Sequence, residues 1–415
     1  MPPPELMDEL VEEILVRFPP GDPASLVRAA LVCKPWCRLV SGAAFRRRFR
    51  EFHHLHRAGG GAAAAPPLLG VLYNSTTKQQ QVREDDDTDE DQGRISKRAR
   101  ILREPTTACF VPTTSFRPGP TAHAANSRRC YYGWRAIDAR HGRVLLRRSD
   151  RSPYGHGLSV WDPVTDEQQQ VPKPKFSKTM LGYHWTAAVA CAATDDCDHL
   201  DCHRGPFLVV VMDVQSYVIY RCVYSSQAAA WSDLDVLKRP EPTPGVLVGS
   251  TLYFLVHCKD EVVEYDLATQ EVSTIDIRSS EFHGRLLQRR RGAGLVLLTD
   301  DDGGLGLGFV AIANNNNNTD HQYQLELWSM VNGSDGAALI NNSLRVNGFG
   351  GGATANSRFL FMRTTDGLYS IDINSSHVSK VANNYCGDDD DSVVPYISFC
   401  TPNSSASGNT AMSIV

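Results

Sequence analysis

Long apolar runs are missing from this 415-residue sequence. The longest, such as Phe207 to Met212, fall far below the roughly twenty residues that a membrane-spanning helix needs, which excludes such a helix. An excess of basic charge is also missing. The 42 Lys and Arg are outnumbered by 47 Asp and Glu, for a net charge of -5, which argues against a generally basic nucleic-acid binder. The first residues lack the basic-then-apolar pattern of a secretory leader, so the expected location is cytoplasmic, nuclear or both. Cysteine is present but unordered: 11 residues, an odd number at irregular spacings, fit scattered reduced thiols better than a disulfide framework. Strings such as Asn332-Gly333-Ser334 and Asn374-Ser375-Ser376 are then unglycosylated turns. No nucleophile-and-base spacing and no pair of carboxylates suggests catalysis, and no cofactor is implied.

Against these absences stands a dense helical start. Leu6, Leu10, Ile14 and Phe18 recur at four-residue steps with Val11 and Leu15 beside them, while Glu9, Glu12, Glu13 and Arg17 take the other side, the pattern of an amphipathic helix. Pro19 and Pro20 end it. Asp22 and Pro23 are suited to the cap and first position of a second helix carrying Leu26, Val27, Ala30 and Leu31. Pro35 starts a third with Trp36, Leu39 and Val40. After Ser41-Gly42 a fourth carries Phe45, Phe49, Phe52 and His56. So small a module buries too little surface to be robust alone and implies a partner.

The strings LMDELVEEILVRFPP, PASLVRAALVCKPWCRLVSG and AAFRRRF resemble the F-box, and more narrowly the plant F-box proteins that continue into a long associated region. The VCKPW string from Val32 to Trp36, with Ile14 and Leu15 upstream, is its most specific part. One departure is Met7, where the family usually has proline. The resemblance implies docking on a Skp-family adaptor, and through it on cullin and RING subunits, by Leu6, Met7, Leu10, Leu15, Val32 and Trp36 with Lys34 at the rim. Ile14, Leu26 and Leu31 are expected in the module's own core, and Trp36 in both settings.

Residues 58–107 read as a linker holding a first short strand, Leu68 to Tyr73, and a loop that is acidic over Glu84–Asp91 and basic over Lys97–Arg100. A β domain is expected over 108–400 and a disordered tail over 401–415. Three segments, LSVWDPVTDEQQQV from Leu158, VVEYDLATQEVSTI from Val262 and LYSIDINSSHVSKV from Leu368, share one layout. Each has a strand, Asp at the fifth position (Asp162, Asp266, Asp372), Thr or Ser at the eighth, and a second strand, which together form a hairpin with a capped turn. From Leu158 to Val262 is 104 positions and from Val262 to Leu368 is 106. A weaker strand of the same kind lies in each gap, so the period is near fifty, the length of a four-stranded kelch-like blade. Five units are recognisable, and a sixth assembled from Leu68 to Pro112 with Val394 to Phe399 would close the ring between the chain ends. A pair of β-sandwiches is the competing architecture. The expected fold class is therefore α+β, a helical F-box followed by a six-bladed kelch-like propeller. Segments such as HGRVLL, WDPVT and GVLVGSTLYFLV also resemble the region that follows the F-box in the plant family.

Cys191, Cys197, His199, Cys202 and His203 lie close in sequence, but structural zinc sites usually build on paired C-x2-C or C-x4-C knuckles and only Cys197, His199 and Cys202 are packed closely enough to suggest one; the expected reading is a polar loop between two strands, with no metal. Gly303, Gly304, Gly306 and Gly308 precede a strand instead of a helix, which removes the phosphate-binding reading. Arg46, Arg47, Arg48 and Arg50 read as a solvated helix face. The function these features imply is a non-catalytic substrate receptor of a ubiquitin ligase. The alternative is a propeller enzyme or glycan-binding lectin that carries the helices as an assembly handle.

Overall fold

A computed structural model describes residues 7–56, 66–75, 78–79, 102–103, 106–118, 129–148, 157–173, 185–193, 197, 202–215, 218–233, 235–237, 246–248, 250–256, 261–276, 293–299, 305–314, 322–330, 337–347, 349–356, 359–364, 367–372, 377–383 and 393–401. The acidic and basic loop segments, Leu6, His199 and the tail after 401 lie outside these residues. Four helices form where the apolar spacing predicts them: α1 Asp8–Leu15, α2 Pro23–Ala30, α3 Lys34–Ser41 and α4 Ala43–His56. Proline occupies the first turn of α2 and of α3, where its missing N–H breaks no helical bond. Val11, Leu15, Val16, Leu26, Val40, Phe45 and Phe49 form the helical core. Among the described residues no helix is long and apolar enough to cross a membrane.

The rest is a propeller-like succession of antiparallel meanders. Five sheets have four strands. One joins Trp134–Arg140, Arg143–Arg148, Leu158–Trp161 and Gln168–Val171, and another Val246–Val248, Thr251–Val256, Glu261–Asp266 and Val272–Asp276. Two more begin at Ala293 and Phe349. The last joins the two ends of the β region: Val393–Ile397 pairs with Leu68–Ser75, which pairs in turn with Thr107–Pro112, and that with Arg129–Tyr132. The expectation of six blades is corrected: among the described residues five sheets have the four strands of a blade, not six. The sheet that begins at Thr186 has five strands, because Ala230–Trp231 and Asp235–Leu237 both pair with Val218–Ser225. A separate two-stranded pairing joins Lys78–Gln79 to Leu102–Arg103.

Two of the three repeated aspartates, Asp162 and Asp266, cap their turns as the spacing predicts, and the turn after Asp372 lies outside the described residues. Asp162 Oδ1 accepts the Val164 and Thr165 N–H groups at 2.8 and 3.3 Å. Asp266 Oδ1 accepts those of Ala268 and Thr269 at 2.7 and 3.1 Å. The backbone N–H groups of Asp162, Asp266 and Asp372 each donate to the carbonyl five residues on. In the first two turns the residue before that carbonyl, Asp166 or Gln270, takes a positive φ of 62° or 60°. These non-glycine residues carry the steric cost of that conformation, which the capping hydrogen bonds offset.

Neighbouring sheets are stitched by buried polar side chains. Asn74, fully buried, donates to Ala136 O at 2.9 Å and accepts from Ala136 N at 2.8 Å. Asp138 Oδ2 accepts the Val189 N–H at 2.8 Å, and the Arg221 guanidinium donates to Gln270 O at 2.9 Å while stacking on Tyr265. Between the stitches lies an apolar core in which Phe110 meets Phe116, Trp161 and Tyr396 edge to face. Gly70 is obligatory beside it, since a Cβ there would overlap the Phe110 ring.

One expectation is overturned within the closing sheet. Cys109 and Cys130, opposite each other in the ladder, form a disulfide, where the irregular spacing had led to reduced thiols throughout. Strand register, invisible in the spacing, brings them together. Replacing Asn74 with alanine strands two buried backbone groups of Ala136 and should cost about 2–4 kcal/mol, whereas Asp266→Ala should cost about 1 kcal/mol. Chemical-denaturant melts of the two variants check the ranking; an Asp266→Ala loss as large as that of Asn74→Ala contradicts it.

Candidate functional site

Helix α1 has two apolar faces, and the structure divides them. Val11 and Leu15, one turn apart, point into the helical core at 2% and 1% exposure. Leu10 and Ile14, equally one turn apart, point outward at 48% and 53%, with Met7 at 64%. Two expectations fall here. Ile14 and Leu31 are not core residues, since Leu31 too is 57% exposed, and Leu15 is not a surface anchor. At 100° per residue the Leu10–Ile14 pair is centred about 100° around the helix from the Val11–Leu15 pair, and it is the latter that meets the core.

Of the seven exposed large apolar side chains among the described residues, five lie on the helical module: Met7, Leu10, Ile14, Leu31 and Val32. The other two, Tyr132 and Val378, lie in the β region. Lys34, at the start of α3, is exposed beside Val32. Trp36 is half-buried, packed on the helical core while keeping an exposed part, as expected for a large ring serving two settings. The signal that could have placed Ile14 on the surface is the two-stripe pattern of α1 itself, since one small module cannot bury both stripes.

Two arginines of α4, Arg47 and Arg48, face protein acids. Arg48 bridges Glu12 at 3.0 Å and Glu13 at 2.5 Å, and Glu13 also holds Arg17 at 2.6 Å. These neighbours keep the Glu13 carboxyl below its ordinary range, with the Arg17 hydrogen bond the largest cause. Arg47 lies 3.9 Å from Glu51, and Arg50 is buried. The stretch is thus only partly the solvated face it was read as, and it ties α4 to α1.

The helical module is mounted on the closing sheet. Phe399, just past the final strand, enters the helical core and meets Phe49 edge to face with centroids 6.4 Å apart. Its neighbour Cys400 enters the β core instead, where burial pushes its thiol up to about 12. A second tie joins α2 to the turn after Thr107–Pro112. Ser115 Oγ donates to Asp22 Oδ1 at 2.5 Å and accepts the Ala24 N–H at 3.2 Å. Asp22 also accepts from Ser25 at 2.5 Å, and these hydroxyls, Ser115 first, hold its carboxyl below the ordinary 3.8.

Of the three residues packed closely enough in sequence to suggest a zinc knuckle, Cys197 and Cys202 come together, and their companion is Cys191; His199 lies outside the described residues. The three sulfurs lie within 4.8 Å of one another. His203 faces Asp162 with 3.9 Å between Nε2 and Oδ2. Gly306 and Gly308 pair with Leu298 and Val296 inside a ladder, which makes that part of the glycine run a strand.

Residues 4–48 match the F-box domain family, so the chain carries an F-box domain followed by the propeller-like β region. No curated protein matches the chain. Among solved structures, an uncharacterized protein from Listeria monocytogenes EGD-e is 9% identical with a TM-score of 0.32, covering 60% of this chain and 83% of that one. A nidogen/laminin complex is 10% identical with a TM-score of 0.37, covering 80% of this chain and 99% of that one. Likenesses this distant bear on neither fold nor function.

Phe399→Ala should destabilise the helical module by about 3–5 kcal/mol, the usual cost of emptying an aromatic site, and proteolysis of α1–α4 should precede loss of the β domain. Simultaneous digestion of both parts in the variant would contradict the assignment of Phe399 to the helical core. Asp22, with a lowered folded pKa, contributes stability above the ordinary carboxylate value and loses it as pH falls through the folded value. The gap in melting temperature between the parent chain and Asp22→Ala is therefore expected to be full at neutral pH and to shrink below pH 3.8; a gap that does not change with pH contradicts the role given to the carboxylate.

Proposed function

We propose that this chain is the substrate-recognition subunit of a Skp-cullin-F-box ubiquitin ligase. Its F-box docks on a Skp-family adaptor, which links it to cullin and RING subunits, and its β region recruits a protein for ubiquitination. The observation that carries this reading is the concentration of exposed Met7, Leu10, Ile14, Leu31 and Val32 on a helical module that matches the F-box domain. Exposed apolar side chains gathered on a small module mark a surface that a partner covers. Lys34 and Trp36 belong to the same proposed surface, with Ile14 and Leu31 taking the place given to Leu15 in the sequence reading.

The role of the chain in this reading is positional, without catalytic residues of its own. It raises the local concentration of the bound protein near a ubiquitin-charged enzyme, and tethering of this kind enhances rates without new chemistry. The kelch-like kind of the blades, supported by the near-fifty-residue period, and a cytoplasmic or nuclear location belong to the same proposal.

The full chain, co-expressed with Skp-family adaptors, should copurify with at least one of them. Leu10→Glu and Val32→Glu should weaken that binding about thirtyfold or more, the scale of a lost anchor, with no fall in melting temperature. Leu15→Ala should instead lower the melting temperature, by about 2–5 kcal/mol of stability. Failure of several adaptors to bind the parent chain at high micromolar concentration in calorimetry sinks the proposal. Affinity capture during proteasome blockade then identifies the recruited protein, as the one lost when the β region is deleted.

A further inference from the structure

The hairpin loop between Thr186–Cys191 and Phe207–Gln215 is long, and both of its ends are fastened. Cys191 stands opposite Phe207 in the ladder, and the Ala192 N–H donates to Pro206 O at 3.0 Å. Within the loop the chain returns two more thiols to the base. Cys191 and Cys197 have their sulfurs 3.8 Å apart, and Cys202 completes a group whose sulfurs all lie within 4.8 Å of one another. Thiolates sharing one tetrahedral zinc at about 2.3 Å stand about 3.8 Å apart. One edge of the group already has that length, and the others need to close by about an ångström or less.

Remote residues hold two of the three cysteines in place. The Cys191 N–H donates to His141 Nδ1 at 3.2 Å, from the turn of the preceding sheet. Cys202 opens a single 3-10 turn, Cys202–Arg204, closed by the Gly205 N–H on Cys202 O at 2.9 Å. The Arg143 guanidinium, 2% exposed, donates from Nη2 to the carbonyls at both ends of this turn, Cys202 O and Gly205 O. Its Nη1 is buried without a hydrogen bond. The charge of Arg143 lies within electrostatic reach of Cys191 and Cys202. Three thiolates on a divalent ion carry a net charge of about −1, which a buried guanidinium complements.

We propose that Cys191, Cys197 and Cys202 supply three ligands of a zinc site that clips this loop to the edge of the β region, with Arg143 as its counter-charge. Each protonated thiol releases its proton to solvent as its sulfur binds, so loading yields up to three protons per ion and strengthens as pH rises. The clip sits close to the seam that carries the helices. Gly142 leaves a Cβ-sized gap filled by the His203 side chain, and its carbonyl accepts the Tyr396 hydroxyl of the closing strand at 3.2 Å.

The test uses the full chain, purified under reducing conditions and measured for zinc by elemental analysis, then stripped and titrated with cobalt(II). About one zinc per chain is expected, and cobalt should give the intense thiolate charge-transfer absorption of a tetrahedral sulfur site. Cys197→Ser and Cys202→Ser, at half-buried positions, should each lose the metal and the absorption, and Cys33→Ser, exposed on the helical module, should keep both. Chelation should lower the melting temperature of the parent chain and leave that of Cys197→Ser unchanged. A reduced parent chain that binds neither zinc nor cobalt overturns the proposal. So does undiminished binding in the Cys197→Ser, Cys202→Ser double variant, or a Cys191–Cys197 disulfide in protein kept reduced.

Discussion

The structure depends on what happens at two consecutive residues, Phe399 and Cys400. The strand before them, Val393–Ile397, pairs with Leu68–Ser75 and so joins the far end of the β region to its beginning. The chain then places Phe399 in the core of the helices and Cys400 in the core of the sheets. One short segment thereby closes the β region and anchors the helical module to it. A fifty-residue helical module gains most from such an anchor, because its own burial leaves it marginal. Ser115, reaching from the closing sheet to Asp22 and Ala24, adds a polar tie to the apolar one.

Given that anchor, the outward face of α1 can remain apolar. The inner stripe of Val11 and Leu15 is satisfied by Phe45, Phe49 and Phe399 within one cluster, and the outer stripe of Met7, Leu10 and Ile14 has no such role in the fold. The Glu12–Arg48 and Glu13–Arg48 pairs hold α1 to α4 without consuming that stripe. Exposed ion pairs of this kind contribute little to stability; their effect is on orientation. In the proposed role, such a mount would fix the exposed apolar face of the helices relative to the β region through packed side chains.

Burial within the β region follows a second pattern, in which three successive sheets each reach into the next with a polar side chain. Asn74, Asp138 and Arg221 are all buried, and each pairs with backbone on a neighbouring sheet. Such groups are costly when unpaired and directional when paired, so they set the relative placement of sheets that apolar packing alone would leave free to slide. For Asp138 burial raises the carboxyl above its ordinary range, with Arg140 and the Val189 N–H opposing that shift.

Local signals were fully legible in the sequence. Four helices could be read because their apolar spacing and their prolines act within one or two turns. The hairpin turns were legible for the same reason, since Asp162 and Asp266 bind N–H groups two and three residues away. Even the closing strand could be anticipated, because unpaired sheet edges are costly wherever they occur. What only the tertiary structure decided were choices between alternatives that are equal locally. Leu10 and Leu15 are both leucines on an amphipathic helix, and only the arrival of α4 and Phe399 makes one core and the other surface. Cys109 met Cys130 through strand register, and Cys191 met Cys197 and Cys202 because His141 and Arg143, some fifty residues or more away in the chain, hold the loop that carries them. Periodicity records which faces of an element are apolar; which face is covered depends on partners distant in sequence, and no local pattern encodes them.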